Sequence, residues 1–195
     1  MTDAAPIRWG LSDDELATKP TVYRPGLLDG QRFLVTGGSQ GMGKAMTFLL
    51  ARLGARVMIC GRSEAKLAAT AEAVQRLLGV TVETMAMSIR DPDQVDALLD
   101  ACFDRMGGLD TVVNNAGGQF PQDAIDYSRK GWNAVIDLNL NGTWWVMQGA
   151  AQRWRARGTG GHVVSIVAHV ERGMPQAAHT CAARKGLIYL SRSVA

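Results

Sequence analysis

With 195 residues, 47% hydrophobic and 20% charged, the chain can bury the core of one domain. Its formal net charge of +3 is spread out, which gives no argument for a nucleic-acid partner. Cys60, Cys102 and Cys181 are odd in number and far apart, so they make neither a disulfide framework nor a zinc pattern and fit a reducing cytoplasm. No stretch approaches the ~20 apolar residues of a membrane span, and the first residues lack the basic start and apolar core of a signal peptide.

Residues 1–26, with Pro6, Pro20, Pro25 and mixed charge, read as an extended arm, and residues 27–195 as a single domain. Within that domain, short apolar runs alternate with helical patterns. Strands are predicted at Phe33–Thr36, Arg56–Cys60, Thr81–Met87, Thr111–Asn114 and His162–Val167. Helices are predicted at Met42–Leu53, Glu64–Leu78, Pro92–Arg105, Gly131–Arg157 and Ala177–Val194. Pro92 suits a first helical turn, with Asp91 as its cap, and Gly54, Gly79 and Gly107 stand where helices end. A β-α-β-α order specifies the α/β class, a parallel sheet with helices on both faces. The dense run Arg153, Arg155, Arg157 reads as a solvated helix end, the alternative being an anion site.

The run Thr36-Gly37-Gly38-Ser39-Gln40-Gly41-Met42-Gly43 lies between the first strand and the first helix of the domain. A strand, a glycine-rich turn and a helix make a diphosphate cradle. Gly37 permits the turn, Gly41 lets backbone approach a pyrophosphate, and Gly43 lets the helix pack against the strand. The helix start adds free N–H groups and partial positive charge. A second element, Val112-Val113-Asn114-Asn115-Ala116-Gly117, ends another strand at the same edge of the sheet.

These two motifs, in this order, resemble the short-chain dehydrogenase/reductase family over roughly Leu27 to Ala195. The resemblance implies a Rossmann-type, doubly wound αβα fold that binds a nicotinamide dinucleotide. Ser39, Gln40, Met42 and the three glycines would then hold its phosphates, and Asn115, Ala116 and Gly117 would border the nicotinamide. It also implies further strands and a substrate-covering loop after residue 195, so the chain is expected to be part of a longer protein. Family members usually pair two helices with a second subunit, so a homo-oligomer is expected, with Trp144 and Trp145 in the core or at that interface.

After the second strand, Gly61-Arg62 stands where an acid would hold the ribose of NAD. Arg62 is suited to an adenine face and a 2′-phosphate, which favours NADP; otherwise it caps a solvent-facing loop. Ser88 and Ile89 hold the place of an Asp-plus-apolar pair beside the adenine.

The family reaction uses Asn, Ser, Tyr and Lys. Asn139 matches the Asn; read structurally, it is a polar residue bending its helix around water. The Tyr-x-x-x-Lys element is absent from His179-Thr180-Cys181-Ala182-Ala183-Arg184-Lys185-Gly186. With Lys185 as the lysine, Cys181 and Ala168 take the Tyr and Ser places. With Arg184, Thr180 and Val167 do, and the spacing to Gly186 favours this register. Tyr127 is another candidate phenol, or a loop tyrosine. His162, His169 and His179 have no metal-ligand spacing, and His179 is also a site-lining candidate.

Tyr23–Gly30, Asn115–Phe120 and Lys130–Val135 resemble the enoyl-CoA and 2,4-dienoyl-CoA reductase branch of the family. That resemblance implies hydride delivery to a conjugated acyl-CoA, with Gln119 and Phe120 lining the acyl pocket. Asn139, Thr180 and Arg184 or Lys185 would sit at the reacting end. Other branch members act on terpenoid alcohols, so a hydrophobic alcohol stays open as substrate. A dinucleotide-binding protein without redox activity is the further alternative.

Overall fold

The computed structural model describes residues 10–195, so residues 1–9 of the arm, including Pro6, lie outside the described residues. Five parallel strands form one sheet in the order β3-β2-β1-β4-β5: β1 Arg32–Thr36, β2 Arg56–Gly61, β3 Val82–Ala86, β4 Thr111–Asn114 and β5 His162–Ser165. The expected doubly wound class is thus present. Alternate residues of the central strands point to opposite faces. Leu34, Met58, Cys60 and Val112 pack against α4 (Pro92–Met106) and α6 (Gly142–Ala156). Phe33, Val35, Val57, Ile59 and Val113 pack against α2 (Gly41–Arg52) and α3 (Glu64–Leu78). Phe48, Leu98 and Leu99 are fully buried, each worth about 1.5–3 kcal/mol. No helix among the described residues is long and apolar enough to cross a membrane.

The helix boundaries follow local chemistry. Asp91 accepts from Asp93 N and Gln94 N (3.1 and 3.2 Å) just ahead of Pro92, and Gly79 and Gly107 end their helices in the left-handed conformation. At the N-terminal ends of the two neighbouring central strands, Arg32 binds Asp110 through Nε and Nη2 (2.8 and 2.7 Å), tying β1 to the start of β4.

Three expectations need correction. The arm is not extended throughout, because Asp13–Thr18 form helix α1. Ser12 and Glu15 make a reciprocal capping box there, and Arg52 of α2 donates to Leu16 O and Lys19 O (3.1 and 2.9 Å). The long helix predicted at Gly131–Arg157 begins earlier, at Arg129, and is interrupted. After α5 (Arg129–Ile136), residues Asp137–Asn141 form a wider π-type turn, in which Gly142 N bonds back to Asp137 O. The extra residue in that turn carries Asn139 inward to 0% exposure. Finally, β5 ends at Ser165 rather than Val167, because the Ile166 carbonyl accepts from Arg184 Nη1 (2.8 Å) instead of continuing the strand. β5 stands last in the strand order of the described residues, and Val164 in it is 47% exposed. The last helix, α7 (Ala178–Val194), packs on α5 and the π turn.

Candidate active site

The glycine turn leaves β1 and enters α2 with Gly41 at φ +53°, where a Cβ would meet nothing within 4 Å. A Cβ on Gly43, by contrast, would run into the Gly37 carbonyl, so backbone packs on backbone at that point. The first amides of α2 have no intrahelical acceptor and face a cavity of about 390 Å³. The Asn-Asn-Ala-Gly turn is stapled to this cradle. Asn115 Nδ2 donates to Thr36 O and Gly37 O (3.0 and 3.2 Å), while Thr36 Oγ1 accepts from Asn115 N and Ala116 N (both 3.0 Å).

The cavity brings together Gly37, Ser39, Gln40, Gly41, Met42, Gly43, Arg62, Ser88, Ile89, Asn115, Ala116 and Gly117, all of them expected from the sequence. It is also lined by Cys60, Ser63, Lys66, Met87 and Leu138, which sequence reasoning missed, and by no Asp or Glu among the described residues. Lys66 had a legible signal, its place in the first turn of α3 just after Arg62. Its Nζ donates to Gln40 Oε1 at 2.9 Å. Burial pushes the Cys60 thiol up to about 12, so it lines the cavity as a neutral apolar group. The cradle, the free helix amides and the two cations fit a dinucleotide. Among the described residues, no group of three or more His, Cys, Asp or Glu side chains could hold a metal ion.

At the far end of the cradle, the side chains of Asn139 and Arg184 converge on Gly117. A Cβ at Gly117 would lie 2.7 Å from Asn139 Oδ1 and would collide with Arg184 Nη2, so only glycine fits. Asn139 grips the next residue by both ends of its amide: Nδ2 donates to Gly118 O (2.7 Å) and Oδ1 accepts from Gly118 N (3.1 Å). Its backbone carbonyl accepts from Thr143 Oγ1 (3.2 Å). Arg184 is 9% exposed and bonded to Ile166 O; burial lowers its pKa, yet a guanidinium remains charged.

One turn earlier on α7, Thr180 is fully buried and its hydroxyl donates to Gln119 Oε1 (3.1 Å). Lys185 stands elsewhere. It is ion-paired with Glu171 at 2.6 Å on the surface, because adjacent residues on a helix point about 100° apart. The fold thus places Arg184 beside Gly117 and Thr180 beside Gln119, and Lys185 beside Glu171.

Phe120 packs edge-on against His179 (centroids 4.7 Å) and Tyr127 (6.1 Å), which makes it part of an aromatic wall. Tyr127 is occupied there too: it stacks on His179 (4.5 Å), donates to Gln176 O (3.2 Å) and accepts from Ala178 N (3.1 Å). It ties the loop before α5 to the start of α7 and supplies no free phenol. His179 Nδ1 accepts from Thr180 N (2.8 Å), so its proton sits on Nε2, which is buried without a partner among the described residues. Asn114 and Ser165, register partners at the ends of β4 and β5, also hold buried polar atoms without a protein partner there, a pair suited to ordered water.

Comparison with known proteins agrees with this architecture. The family described as short chain dehydrogenase matches residues 31–195. A Bacillus subtilis protein named probable 2,4-dienoyl-CoA reductase is 33% identical over 169 residues, covering 86% of this chain and 66% of its own length. The 2-dehydro-3-deoxy-D-gluconate 5-dehydrogenase of Escherichia coli is 31% identical over 170 residues, again 86% of this chain and 66% of the relative. The chain thus spans just under two thirds of these curated relatives. Among solved structures, the citronellol catabolism dehydrogenase of Pseudomonas aeruginosa superposes with a TM-score of 0.83 at 35% identity, covering 89% of this chain and 70% of that one.

Proposed function

The chain belongs to the short-chain dehydrogenase/reductase family, and from that premise we propose that it is part of an NADP-dependent reductase of enoyl-CoA or similar conjugated acyl substrates. The family makes it an oxidoreductase that binds a nicotinamide dinucleotide. NADP is our reading of a cavity lined by Arg62 and Lys66 and, among the described residues, by no carboxylate. The glycine turn and the first amides of α2 would hold the diphosphate, and Asn115 to Gly117 would border the nicotinamide. When bound, that ring supplies the hydride.

The observation that carries the substrate reading is the chemistry of the reacting end. Asn139, Arg184, Thr180 and Gln119 are two amides, a hydroxyl and a fixed positive charge tied to one another and to the backbone, with no proton that titrates in the ordinary pH range. Oxidising an alcohol needs a base for the hydroxyl proton, and reducing a ketone needs an acid for the oxygen. Reducing an alkene conjugated to a thioester needs neither at the oxygen. The oxygen gathers negative charge and must be held by donors, and the α carbon takes its proton from water. The Gln119 amide N–H holds the oxygen in this reading, Thr180 orients that amide by donating to its Oε1, and Arg184 adds the positive field. Asn139 keeps the Gly117–Gly118 turn in place.

The test is NADPH oxidation with a panel of trans-2-enoyl-CoA and 2,4-dienoyl-CoA esters. Turnover with one of them and none with ketones is the expected result, and turnover with no acyl-CoA of any length rejects the reading. A second reading, oxidation of a hydrophobic terpenoid alcohol, is favoured by the similarity to the citronellol catabolism dehydrogenase. It requires citronellol-dependent reduction of NAD or NADP.

A further inference from the structure

We propose that Lys66 determines cofactor choice: released from Gln40, it closes on the 2′-phosphate of the adenosine ribose as the second arm of a clamp whose first arm is Arg62. The inference rests on the NADP reading and names a residue and a movement within that same site.

The placement is built by the fold. Thr70 Oγ1 donates to Ser39 O at 3.1 Å, which fixes α3 against the glycine turn. Lys66 is one turn earlier on the same helix face, so its side chain also falls over the turn. Ser63 caps α3 by accepting from Lys66 N (3.4 Å), and Ser63, Arg62 and Lys66 all line the cavity. The positive end of a 15-residue helix therefore adds to the two side-chain charges.

The partner of Lys66 is what makes the ammonium available. Lys44 and Lys185 are paired with the carboxylates of Asp13 and Glu171. Lys66 has a neutral amide instead, Gln40 Oε1 at 2.9 Å, and no carboxylate within ion-pair distance among the described residues. Glu64, on the same helical turn, is exposed and does not line the cavity. A neutral partner leaves the charge uncancelled, and one hydrogen bond leaves two of the three ammonium donors free. A dianion arriving beside Arg62 offers a stronger acceptor than an amide. Gln40, the residue before Gly41, would lie beside the phosphates and set the resting position of the lysine.

The experiment is calorimetric binding to the 195-residue chain of NADPH and NADH, with 2′,5′-ADP and 5′-ADP as fragments that isolate the 2′-phosphate. Lys66→Ala is expected to weaken NADPH and 2′,5′-ADP about tenfold, the usual scale of one charge-assisted hydrogen bond, and to leave NADH and 5′-ADP within about twofold. Lys66→Arg should keep the preference. Gln40→Leu should keep most of it, since the tether is removed and the charge is not. Equal weakening of NADPH and NADH by Lys66→Ala would mean that the lysine only braces the turn, and would overturn this inference alone. A wild-type chain that binds NADH as tightly as NADPH, or binds neither, would overturn the NADP reading with it.

Discussion

Replacing Asn139 by Ala should destabilise the chain by about 2 kcal/mol, an unusual cost for one exchange in a helical segment. The amide makes two hydrogen bonds to Gly118, at 2.7 and 3.1 Å, and is itself fully buried. Truncation leaves the Gly118 N–H and C=O without partners. An orphaned buried group costs about 1–3 kcal/mol, and the low end applies here because Gly118 is only half-buried. For a chain of this size, about 2 kcal/mol lowers the melting temperature by roughly 4–8 °C. Asn141→Ala is the matched control from the same π turn. Its amide bonds only the Asp137 carboxylate, at 2.8 Å, and its removal should cost well under 1 kcal/mol. Thermal unfolding followed by circular dichroism separates the two. Equal melting temperatures for both variants would refute the idea that the π turn exists to deliver Asn139 to Gly118.

Gly43→Ala should abolish dinucleotide binding by calorimetry, since its Cβ collides with the Gly37 carbonyl; retention within about threefold would contradict the backbone-on-backbone cradle. Burial raises the thiols of Cys60 and Cys102 to about 12, so at pH 8 iodoacetamide should label the native chain at Cys181 alone and the denatured chain at all three. Mass spectrometry reads the count, and labelling of Cys60 in the native chain would contradict it. Hydrogen bonds from Arg32 hold the Asp110 carboxyl below the usual carboxylate range. A depressed pKa stabilises the fold above the unfolded value, about 3.9, and that stability is lost as pH falls through the folded value. Asp110→Asn should therefore cost about 1 kcal/mol at pH 7, with the deficit closing in urea titrations as pH falls below the ordinary carboxylate range.

The strands and most helix ends were legible because each has a local cause in sequence, such as Pro92 behind Asp91 or glycine after a helix. The cradle was legible for the same reason, since its residues are consecutive. The π turn was legible only as a helix bend at Asn139, because the partner it serves is not local in sequence. The turn is imposed by the distant Gly118 backbone that Asn139 grips. The sequence favoured Arg184 over Lys185 only through the spacing to Gly186, and it gave no sign that Lys185 would pair with Glu171 at the surface. Tyr127 and Phe120 looked available because sequence does not reveal that His179 collects both rings. Helix α1 was masked by the prolines on either side of a short capping box.

The most direct test of the account is the pH dependence of a single turnover with NADPH and a trans-2-enoyl-CoA ester. A reacting end built from amides, a hydroxyl and a permanently charged guanidinium predicts reduction of the alkene at a rate that stays flat from about pH 6 to pH 9. A rate that falls through a pKa inside that window, or a chain that leaves the enoyl ester untouched while NADP oxidises an alcohol, would contradict it.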